Sequence, residues 1–374
     1  MNKVWISGIG LIPVGDQWRK SLVDMAVEAA TEALRGRNPD LIIVANMHSS
    51  LSSQQENVGA IVVNAMGLSG TPSFKVEAGS ASGGMACHLG RTMIANGSLD
   101  SVLVVGVEKM MDLPPTEITR GKSMNESYEF MQFFGITESA AAALITRLYM
   151  TEYEITRREL SSFSVLAHRN AVKNAHAQFR REVTAEQVEK SPLISDPLRL
   201  LDCAPSGDGA AAVLITQSQD GSFDVEMLTS ASSTGPAGLH ERDEPLEFVA
   251  TRSAAAKAFT EAGVSREDLD LAEIQDDYSG TAGLVLEGLG ISKKGEGARD
   301  CSKGRFDQGS RLSISTAGGL KARGNPIGAT GVYQIVEIAS KMIERGNDKN
   351  PRLGLAHNSS GLDSNAVVHL LRRG

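Results

Sequence analysis

Cysteine is scarce in this sequence. The 374 residues include only three cysteines, Cys87, Cys203 and Cys301, and no two of them form a Cys-X-X-Cys pair. This scarcity argues against a disulfide framework and against a zinc site built from the cysteines of this chain. We therefore predict no metal centre.

The sequence also lacks a long apolar run, a secretory leader and an excess of positive charge. No stretch of about 18 apolar residues is present, and the first ten residues lead into a strand pattern without a basic segment. The net charge is −8 at pH 7, which gives no general attraction to nucleic acid or to anionic membranes. We expect a cytoplasmic protein that binds neither.

Strand-like and helix-like segments alternate along most of the chain. Leu41–Val44 is continuously apolar, as strands buried on both faces are, and Leu22–Leu34 has helical spacing. This alternation predicts an α/β sandwich with a parallel or mixed sheet. We place an N-terminal half at 1–218 and a similar C-terminal half at 219–374, which suggests an internal duplication.

One region of the first half departs from this alternation. Between about 111 and 200, strand runs are absent, while Met, Phe, Tyr and Arg are frequent. We interpret this region as a mainly helical loop domain inserted in the first half. Its methionines hint at an adaptable apolar pocket for a bulky acyl chain, although Met more often only fills a core: Met110, Met111, Met124 and Met131.

A Gly-, Ala- and Ser-rich turn at Val76–Ala86 is the most informative stretch. An apolar approach ends in Ala-Gly-Ser-Ala-Ser-Gly-Gly, and a helical segment follows. Such a strand–turn–helix unit can hold a nucleophile, and free N–H groups at the helix start favour negative charge. Ser80 lies at the centre of the turn.

Several short segments, taken together and in this order, resemble the thiolase superfamily. The similarity extends from Val4 to Leu371 and is greatest to bacterial and archaeal thiolases related to the sterol-carrier type. The segments are VEAGSASGG at 76–84, PLRLLDC at 197–203, SGDGAAA at 206–212, GGLKARGNPIGATG at 318–331 and AHN at 356–358.

This resemblance implies a layered αβαβα core made of two similar α/β halves, with a loop domain inserted in the first. It also implies a homodimer or higher oligomer and a coenzyme A thioester as substrate, with no covalently bound cofactor. In the family, a cysteine on the opening turn takes the acyl group. A histidine in a Gly-His-Pro motif and a second acid or base assist it.

The sequence departs from the family pattern at each of these chemical positions. Ser80 stands in place of the cysteine, and Asn325 in place of the Gly-His-Pro histidine. Gln275-Asp276-Asp277-Tyr278 replaces a His-Asp-Cys-Phe type segment, and Ser359–Asp363 replaces the C-terminal Cys-Gly turn. A cysteine-to-serine exchange made by engineering would explain only the first departure.

Ser80 is therefore an unpromising covalent nucleophile. A serine hydroxyl needs an adjacent base, and neither Asn325 nor Gln275 can accept a proton. We interpret the turn as a platform on which backbone N–H groups near Ser80 and Gly361 hold a thioester oxygen. Asn325 would donate a hydrogen bond to the substrate. The alternative is that Ser80 and Asn325 only complete their turns.

The proton chemistry is assigned to three other residues. A carboxylate at Asp277 beside Tyr278 in a partly buried pocket could have a raised pKa and exchange protons, which suits a retro-aldol or retro-Claisen step on a β-hydroxy- or β-ketoacyl-CoA. The resemblance makes His357 the remaining histidine at a motif position and a candidate base. A solvated Asp277 and a structural His357 are the corresponding alternatives.

Four basic residues are candidates for binding the CoA phosphates. Lys321 and Arg323 lie in the second Gly-rich segment, and Arg180 and Arg181 in the inserted region. Arginine and lysine are the usual partners of phosphate groups. Ordinary solvated surface charge explains each of them equally well.

Three functions are compatible with this sequence. The first is a thiolase-like enzyme that makes or cleaves a C–C bond in an acyl-CoA with a non-standard site. The resemblance adds that some such proteins work with a small subunit containing an OB-fold and a zinc ribbon. The second is an inactive subunit that pairs with an active thiolase-fold partner. The third binds an acyl-CoA without chemistry.

Overall fold

The computed structural model describes residues 2–219, 223–344 and 351–374. Within these residues the strands, numbered in chain order, are β1 (Trp5–Leu11), β2 (Leu41–Ala45), β3 (Ser73–Val76), β4 (Ser101–Glu108), β5 (Leu193–Ser195), β6 (Leu198–Arg199), β7 (Gly209–Thr216), β8 (Val225–Thr234), β9 (Leu271–Glu273), β10 (Ser313–Ile314), β11 (Leu353–Ser360) and β12 (Asn365–Arg373).

The α-helices of the same residues are α1 (Leu22–Leu34), α2 (Ser49–Ser52), α3 (Val58–Ala65), α4 (Ser82–Ala95), α5 (Pro115–Ser123), α6 (Glu138–Glu152), α7 (Arg157–Ala171), α8 (Ala185–Lys190), α9 (Val249–Ala262), α10 (Ser279–Gly288), α11 (Gly297–Ser302) and α12 (Thr330–Ile343). None of the helices in the described ranges is long and apolar enough to cross a membrane.

Ten strands form one mixed sheet whose order repeats. The first five strands lie in the order β3-β2-β4-β7-β1, and the other five in the order β10-β9-β11-β12-β8. In each half, the first three strands of this order are parallel and the remaining pairs are antiparallel. A short antiparallel pairing of β1 with β8 joins the two sets. The common order is what a duplicated α/β unit would produce.

Helices cover the sheet in the layers that an αβαβα core requires. Helices α1 and α3 pack on one face of the first set of strands, and α9 packs on the outer face of the second set. Helices α4 and α12 lie between the two sets. The α/β fold class predicted from the sequence is therefore confirmed.

Strand β2 shows why the sheet strands are continuously apolar. Ile42 and Val44 pack with the α1 and α3 side chains, whereas Ile43 and Ala45 face the central layer. Because successive side chains of a strand point to opposite faces, a strand with helices on both faces is apolar at every position.

The region inserted between 111 and 200 is mainly helical, and it contains four helices, α5 to α8. The prediction that this region contains no strands is wrong, because β5 and β6 form a small hairpin. Its strands are only three and two residues long, which is too short to give an alternating pattern. The insertion also brings α5 and the loop after it to the carboxyl end of β3.

Candidate active site

Three loops meet at the carboxyl ends of β3 and β11. They carry Gly79 and Ser80, Asn125 of the insertion, and Ser360 and Gly361. Gly79 and Gly361 have φ of +59° and +52°. A Cβ on Gly79 would lie 2.1 Å from Asn125 Oδ1, and one on Gly361 would lie 2.8 Å from Asn125 O. Both glycines are needed for the turn and for this close approach.

Ser80 is held by Asn125 on both sides. The Asn125 Nδ2 group donates to Ser80 Oγ at 2.9 Å, and the Ser80 N–H donates to Asn125 Oδ1 at 3.2 Å. No histidine, carboxylate or lysine of the described chain is hydrogen-bonded to the hydroxyl, so nothing activates it. The Ser80 N–H is also occupied. The Gly361 N–H donates to no described group and is the more available of the two amides predicted to bind a thioester oxygen.

A chain of side-chain amides leads from α4 to Asp277. The Gly84 N–H donates to Asn358 Oδ1 at 2.9 Å, which points the Asn358 amino group at Gln275 Oε1, 2.8 Å away. The Gln275 Nε2 group then donates to Asp277 Oδ2 at 2.6 Å. Each amide has its orientation fixed by its neighbour.

A second amide reaches Asp277 from the Gly-rich segment before α12. The Thr330 hydroxyl donates to Asn325 Oδ1 at 2.7 Å, and Asn325 Nδ2 donates to Asp277 Oδ1 at 2.5 Å. Both polar ends of the Asn325 amide are therefore used inside the protein. The direct substrate contact predicted for Asn325 is not what the structure provides, and Asn325 instead positions Asp277.

Asp277 is a half-buried carboxylate that accepts one hydrogen bond on each oxygen. Burial raises the pKa of Asp277, while Lys122 and the Gln275 amide oppose this rise. Burial and the nearby carboxylates also raise the pKa of Tyr278 well above its usual value, so its hydroxyl stays protonated. Tyr278 can donate a hydrogen bond or a proton at neutral pH, and Asp277 is the better proton acceptor.

Asp277 and Ser80 line one cavity. It has a volume of about 20 Å³, which is room for roughly one water molecule. An acyl group therefore enters only if a lining element moves. The lining residues are Ser80, Glu138, Phe248, Gln275, Asp277, Tyr278, Thr281, Val285, Ser359, Ser360, Gly361, Leu362 and Asp363.

His357 is close to this cavity but is not available as a base. Its Nδ1 accepts the Gln275 N–H at 3.4 Å, and its Nε2 pairs with Thr251 Oγ1 at 2.9 Å. The Thr251 hydroxyl in turn donates to Asp363. Burial lowers the pKa of His357 to about 3, so the ring stays neutral. The catalytic role predicted for His357 is corrected to a structural one.

Lys321 and Arg323 are also structural. Lys321 is 2 % exposed and donates to Asp202 O at 2.5 Å, and Arg323 is fully buried, with its Nε 3.1 Å from Glu337 Oε1. Neither cation is accessible to a phosphate in solution, so the prediction that they bind CoA is corrected. Arg180 and Arg181 are exposed and stay candidates.

The cavity contains no thiol and no metal-ligand cluster in the described part of the chain. Cys87 and Cys301 are buried and Cys203 is half-buried, and none of the three lines the cavity. No group of three or more His, Cys, Asp or Glu residues is arranged to hold a metal ion in the described ranges.

Four functional candidates were missed from the sequence. Asn125, Glu126 and Glu138 belong to the insertion, whose packing onto the turn at Ser80 could not be inferred from local patterns. Asn358 lies in the AHN segment, where only the neighbouring His357 was assigned as a candidate from the sequence. A buried asparagine at the end of an apolar strand needs hydrogen-bond partners, and this was the available signal.

The buried carboxyl group of Glu126 allows the packing of the insertion at this site to be tested by the pH dependence of stability. Both of its carboxylate oxygens are buried without a hydrogen-bond partner among the described residues. Burial raises the pKa of Glu126 from 4.5 to about 7, and Arg242 opposes this rise. The folded state therefore holds this proton more tightly than the unfolded chain, and stability is lost as pH rises from about 4.5 through about 7.

We expect Glu126→Gln to remove this loss of stability at rising pH, because the amide does not ionise. Each pKa unit corresponds to about 1.4 kcal/mol, so the variant should gain a few kcal/mol over the wild type above pH 7 and little below pH 4.5. Urea unfolding at pH 4.5 and pH 8 measures the difference. Equal gains at both pH values would contradict the assigned burial.

The family of the chain follows from comparison with known proteins. The thiolase N-terminal domain family matches residues 15–219, and the thiolase C-terminal domain-like family matches residues 231–373. The chain belongs to the thiolase superfamily. The two matched ranges lie in the two halves of the repeated sheet.

Two relatives illustrate the spread of this thiolase-fold family. The acetyl-CoA acetyltransferase of Methanothermobacter thermautotrophicus is 35% identical over 385 residues, which cover 100% of both chains. Sterol carrier protein 2 of Bos taurus is 26% identical, over 100% of this chain and 73% of the relative. The resemblance to sterol-carrier-type thiolases is thereby confirmed.

A solved structure shares the fold over the whole chain. The structure titled Ltp2-ChsH2(DUF35) aldolase matches with a TM-score of 0.85 and 19% identity, covering 100% of this chain and 98% of that one. At this identity the match concerns the fold alone.

Proposed function

We propose that this thiolase-fold protein cleaves or forms a C–C bond in a β-hydroxyacyl- or β-ketoacyl-CoA, with Asp277 rather than Ser80 doing the chemistry. The observation that carries the proposal is the contrast inside one cavity. Ser80 has no base, whereas Asp277 is half-buried and held by two amides that leave it as a proton acceptor. A retro-aldol reaction needs such an acceptor and no covalent nucleophile.

The proposed cleavage moves one proton and breaks one C–C bond. Asp277 takes the proton of the β-hydroxyl, the β-carbon becomes a carbonyl, and the Cα–Cβ bond breaks. Its electron pair passes to the α-carbon and the thioester oxygen as an enolate. The Gly361 N–H and the Tyr278 hydroxyl would donate hydrogen bonds to that oxygen. Protonation of the α-carbon gives the shortened acyl-CoA.

The named relatives support this choice of substrate and reaction. One relative is an acetyl-CoA acetyltransferase, which supports a CoA thioester as substrate. The matched structure is titled as an aldolase with a DUF35 component, which supports a C–C cleavage and a partner subunit for this chain. Arg180 and Arg181 are the proposed contacts of the CoA phosphates. A homodimer or higher oligomer and the small OB-fold and zinc-ribbon subunit also stay proposals.

A substrate panel tests the proposed function. The protein, alone and with a small OB-fold and zinc-ribbon subunit, is incubated with β-hydroxyacyl-CoA thioesters of increasing size, including 3-hydroxy-3-methylbutanoyl-CoA. That compound should give acetyl-CoA and acetone, detected by mass spectrometry. Absence of cleavage, condensation and binding across the panel would refute the proposal.

Ser80→Ala separates this mechanism from covalent catalysis. The substitution removes one hydrogen bond from Asn125 and no reacting group, so we expect kcat to fall by about tenfold or less, as loss of a single hydrogen bond of about 1 kcal/mol implies. A covalent serine would instead lose nearly all activity. The kcat of both proteins is measured on the best substrate of the panel.

A second candidate is a non-catalytic subunit that pairs with an active thiolase-fold partner. The narrow cavity favours it, because no acyl group fits the site without movement. Exposed aromatic side chains also extend along the neighbouring insertion, as a contact surface would require: Tyr128, Phe130, Phe133 and Phe134. Native mass spectrometry after co-expression with thiolase-fold neighbours distinguishes the two functions, since a self-paired dimer that turns over an acyl-CoA excludes the second.

A further inference from the structure

Glu138 is a second carboxyl group that faces the cavity. It is the first residue of α6, it is 6 % exposed, and it lines the cavity together with Asp277 and Tyr278. Its Oε2 is buried and has no hydrogen-bond partner among the described residues. The Lys122 ammonium lies 3.8 Å from Oε2, beyond hydrogen-bonding distance. A buried carboxyl oxygen without a hydrogen-bond partner in such a cavity is placed to meet a ligand.

We propose that Glu138 is the acid that delivers a proton to the α-carbon of the enolate. This inference rests on the proposed function and assigns a residue to its last step. The catalytic pair is then Asp277 on the β-oxygen and Glu138 on the α-carbon. The two side chains come from different parts of the fold, Asp277 from the segment before α10 and Glu138 from the insertion.

The hydrogen bonds around the two groups explain why they would differ in protonation. Each oxygen of Asp277 accepts an amide N–H, at 2.6 Å and 2.5 Å, and such bonds stabilise the ionised form. Glu138 Oε2 accepts none, which favours the neutral acid. Environments that separate two carboxyl groups in this way assign one as base and the other as acid.

The charges around Glu138 act in both directions. Burial raises the pKa of Glu138 against the opposing effect of Lys122, and with the contributions of Asp277 and Glu126 the pKa is about 8. The titratable and charged groups that face it from the packed elements are Lys122, Glu126, Cys203, Asp277 and Tyr278.

The proton balance of the proposed step is complete. Asp277 gains the proton of the β-hydroxyl when the Cα–Cβ bond breaks, and Glu138 gives its proton to the α-carbon. A new C–H bond forms at the expense of the Glu138 O–H bond. Transfer of one proton from Asp277 to Glu138 then restores both groups, and no oxidant or further reactant is required.

Hydrogen exchange at the α-carbon of acetyl-CoA tests whether Glu138 transfers that proton. The assay needs no carbonyl compound, so it does not depend on C–C cleavage or condensation. The wild-type protein is incubated with acetyl-CoA in D2O, and mass spectrometry follows deuterium entering the acetyl group. In this reverse direction Glu138 acts as carboxylate, so wild-type exchange should rise as pH passes about 8. Glu138→Gln should slow exchange by about 100-fold, the lower end for a general acid or base, and should abolish the pH dependence. Glu138→Asp should recover part of the rate.

Two further variants serve as controls. Glu117→Gln changes a half-exposed carboxylate of the same insertion that pairs with Arg120, and its exchange should equal that of the wild type. Asp277→Asn should block C–C cleavage, and exchange should begin to rise at a lower pH than in the wild type, because the Asp277 carboxylate raises the pKa of Glu138. Thermal unfolding confirms that each variant is folded.

The outcomes separate this inference from the proposed function. Exchange that depends on Glu138 without any C–C cleavage would refute the proposed function and keep Glu138 as the acid. Cleavage that proceeds equally in Glu138→Gln would refute the role of Glu138 alone. A wild-type protein that exchanges no deuterium into acetyl-CoA overturns the inference.

Discussion

Asp277→Asn should lower kcat for C–C cleavage by about 10²- to 10⁴-fold, the range that a general base contributes. The amide cannot accept the β-hydroxyl proton. It would also place an N–H group against the amino group of Gln275 or Asn325. Neither of these side-chain amides can easily rotate to present its oxygen instead, because Asn358 fixes the Gln275 amide and Thr330 fixes the Asn325 amide. The measurement is kcat on the best substrate, with product detected by mass spectrometry.

Asp276→Asn is the matched control for this prediction. Asp276 is the neighbouring buried carboxyl group, but it accepts the Leu320 N–H at 2.7 Å and does not line the cavity. We expect this variant to lose stability, because Asp276 faces the buried Lys321, while its folded fraction retains kcat. Equal kcat in Asp277→Asn and the wild type would exclude Asp277 as the base.

Gly331→Ala should be the most destabilising single methyl addition in the central layer. The first turn of α12 crosses the first turn of α4 there. A Cβ on Gly331 would lie 2.2 Å from Gly84 N, 2.4 Å from Asn358 Oδ1 and 2.8 Å from Gly83 C. Backbone atoms cannot move aside as a flexible side chain can, so we expect a loss of about 3 kcal/mol, the upper end for overpacking.

Gly90→Ala on α4 is the comparison for this effect. Its Cβ would meet only the ends of apolar side chains among its nearest atoms, at 3.2 Å from Val102, 3.4 Å from Val104 and 3.6 Å from Ile215. The helix also gains about 0.5–1 kcal/mol when alanine replaces glycine, so its unfolding midpoint should stay near that of the wild type. Urea unfolding measures both variants. A Gly331→Ala protein as stable as Gly90→Ala would contradict the crossing of α4 and α12.

Much of the fold could be predicted from the sequence because its signals are local. The apolar run at Leu41–Val44 requires a strand covered on both faces, and the structure has β2 there. The glycine-rich stretch at Val76–Ala86 predicted a strand, a turn and a helix, and the structure has β3, the turn at Ser80 and α4 there. The short β5 and β6 strands were missed because a strand of two or three residues leaves no periodic signal.

The site was harder to predict because its parts meet only in the folded protein. Lys321 and Arg323 lie in a glycine-rich segment of the kind that usually reaches solvent, yet both are buried. His357 is neutral because it is enclosed, which no local pattern reveals. Asn125 and Glu138 come from the insertion, and their approach to Ser80 and Asp277 depends on packing between distant segments.

Intact-protein mass spectrometry during turnover tests the central claim that Asp277 works without a covalent Ser80 intermediate. Wild-type protein is mixed with the best β-hydroxyacyl-CoA, quenched in acid at successive times, and weighed while the shortened acyl-CoA is quantified in the same samples. We predict that product accumulates while the protein keeps its unmodified mass. An acyl adduct that forms at the rate of turnover in the wild type and is absent from Ser80→Ala would contradict this account.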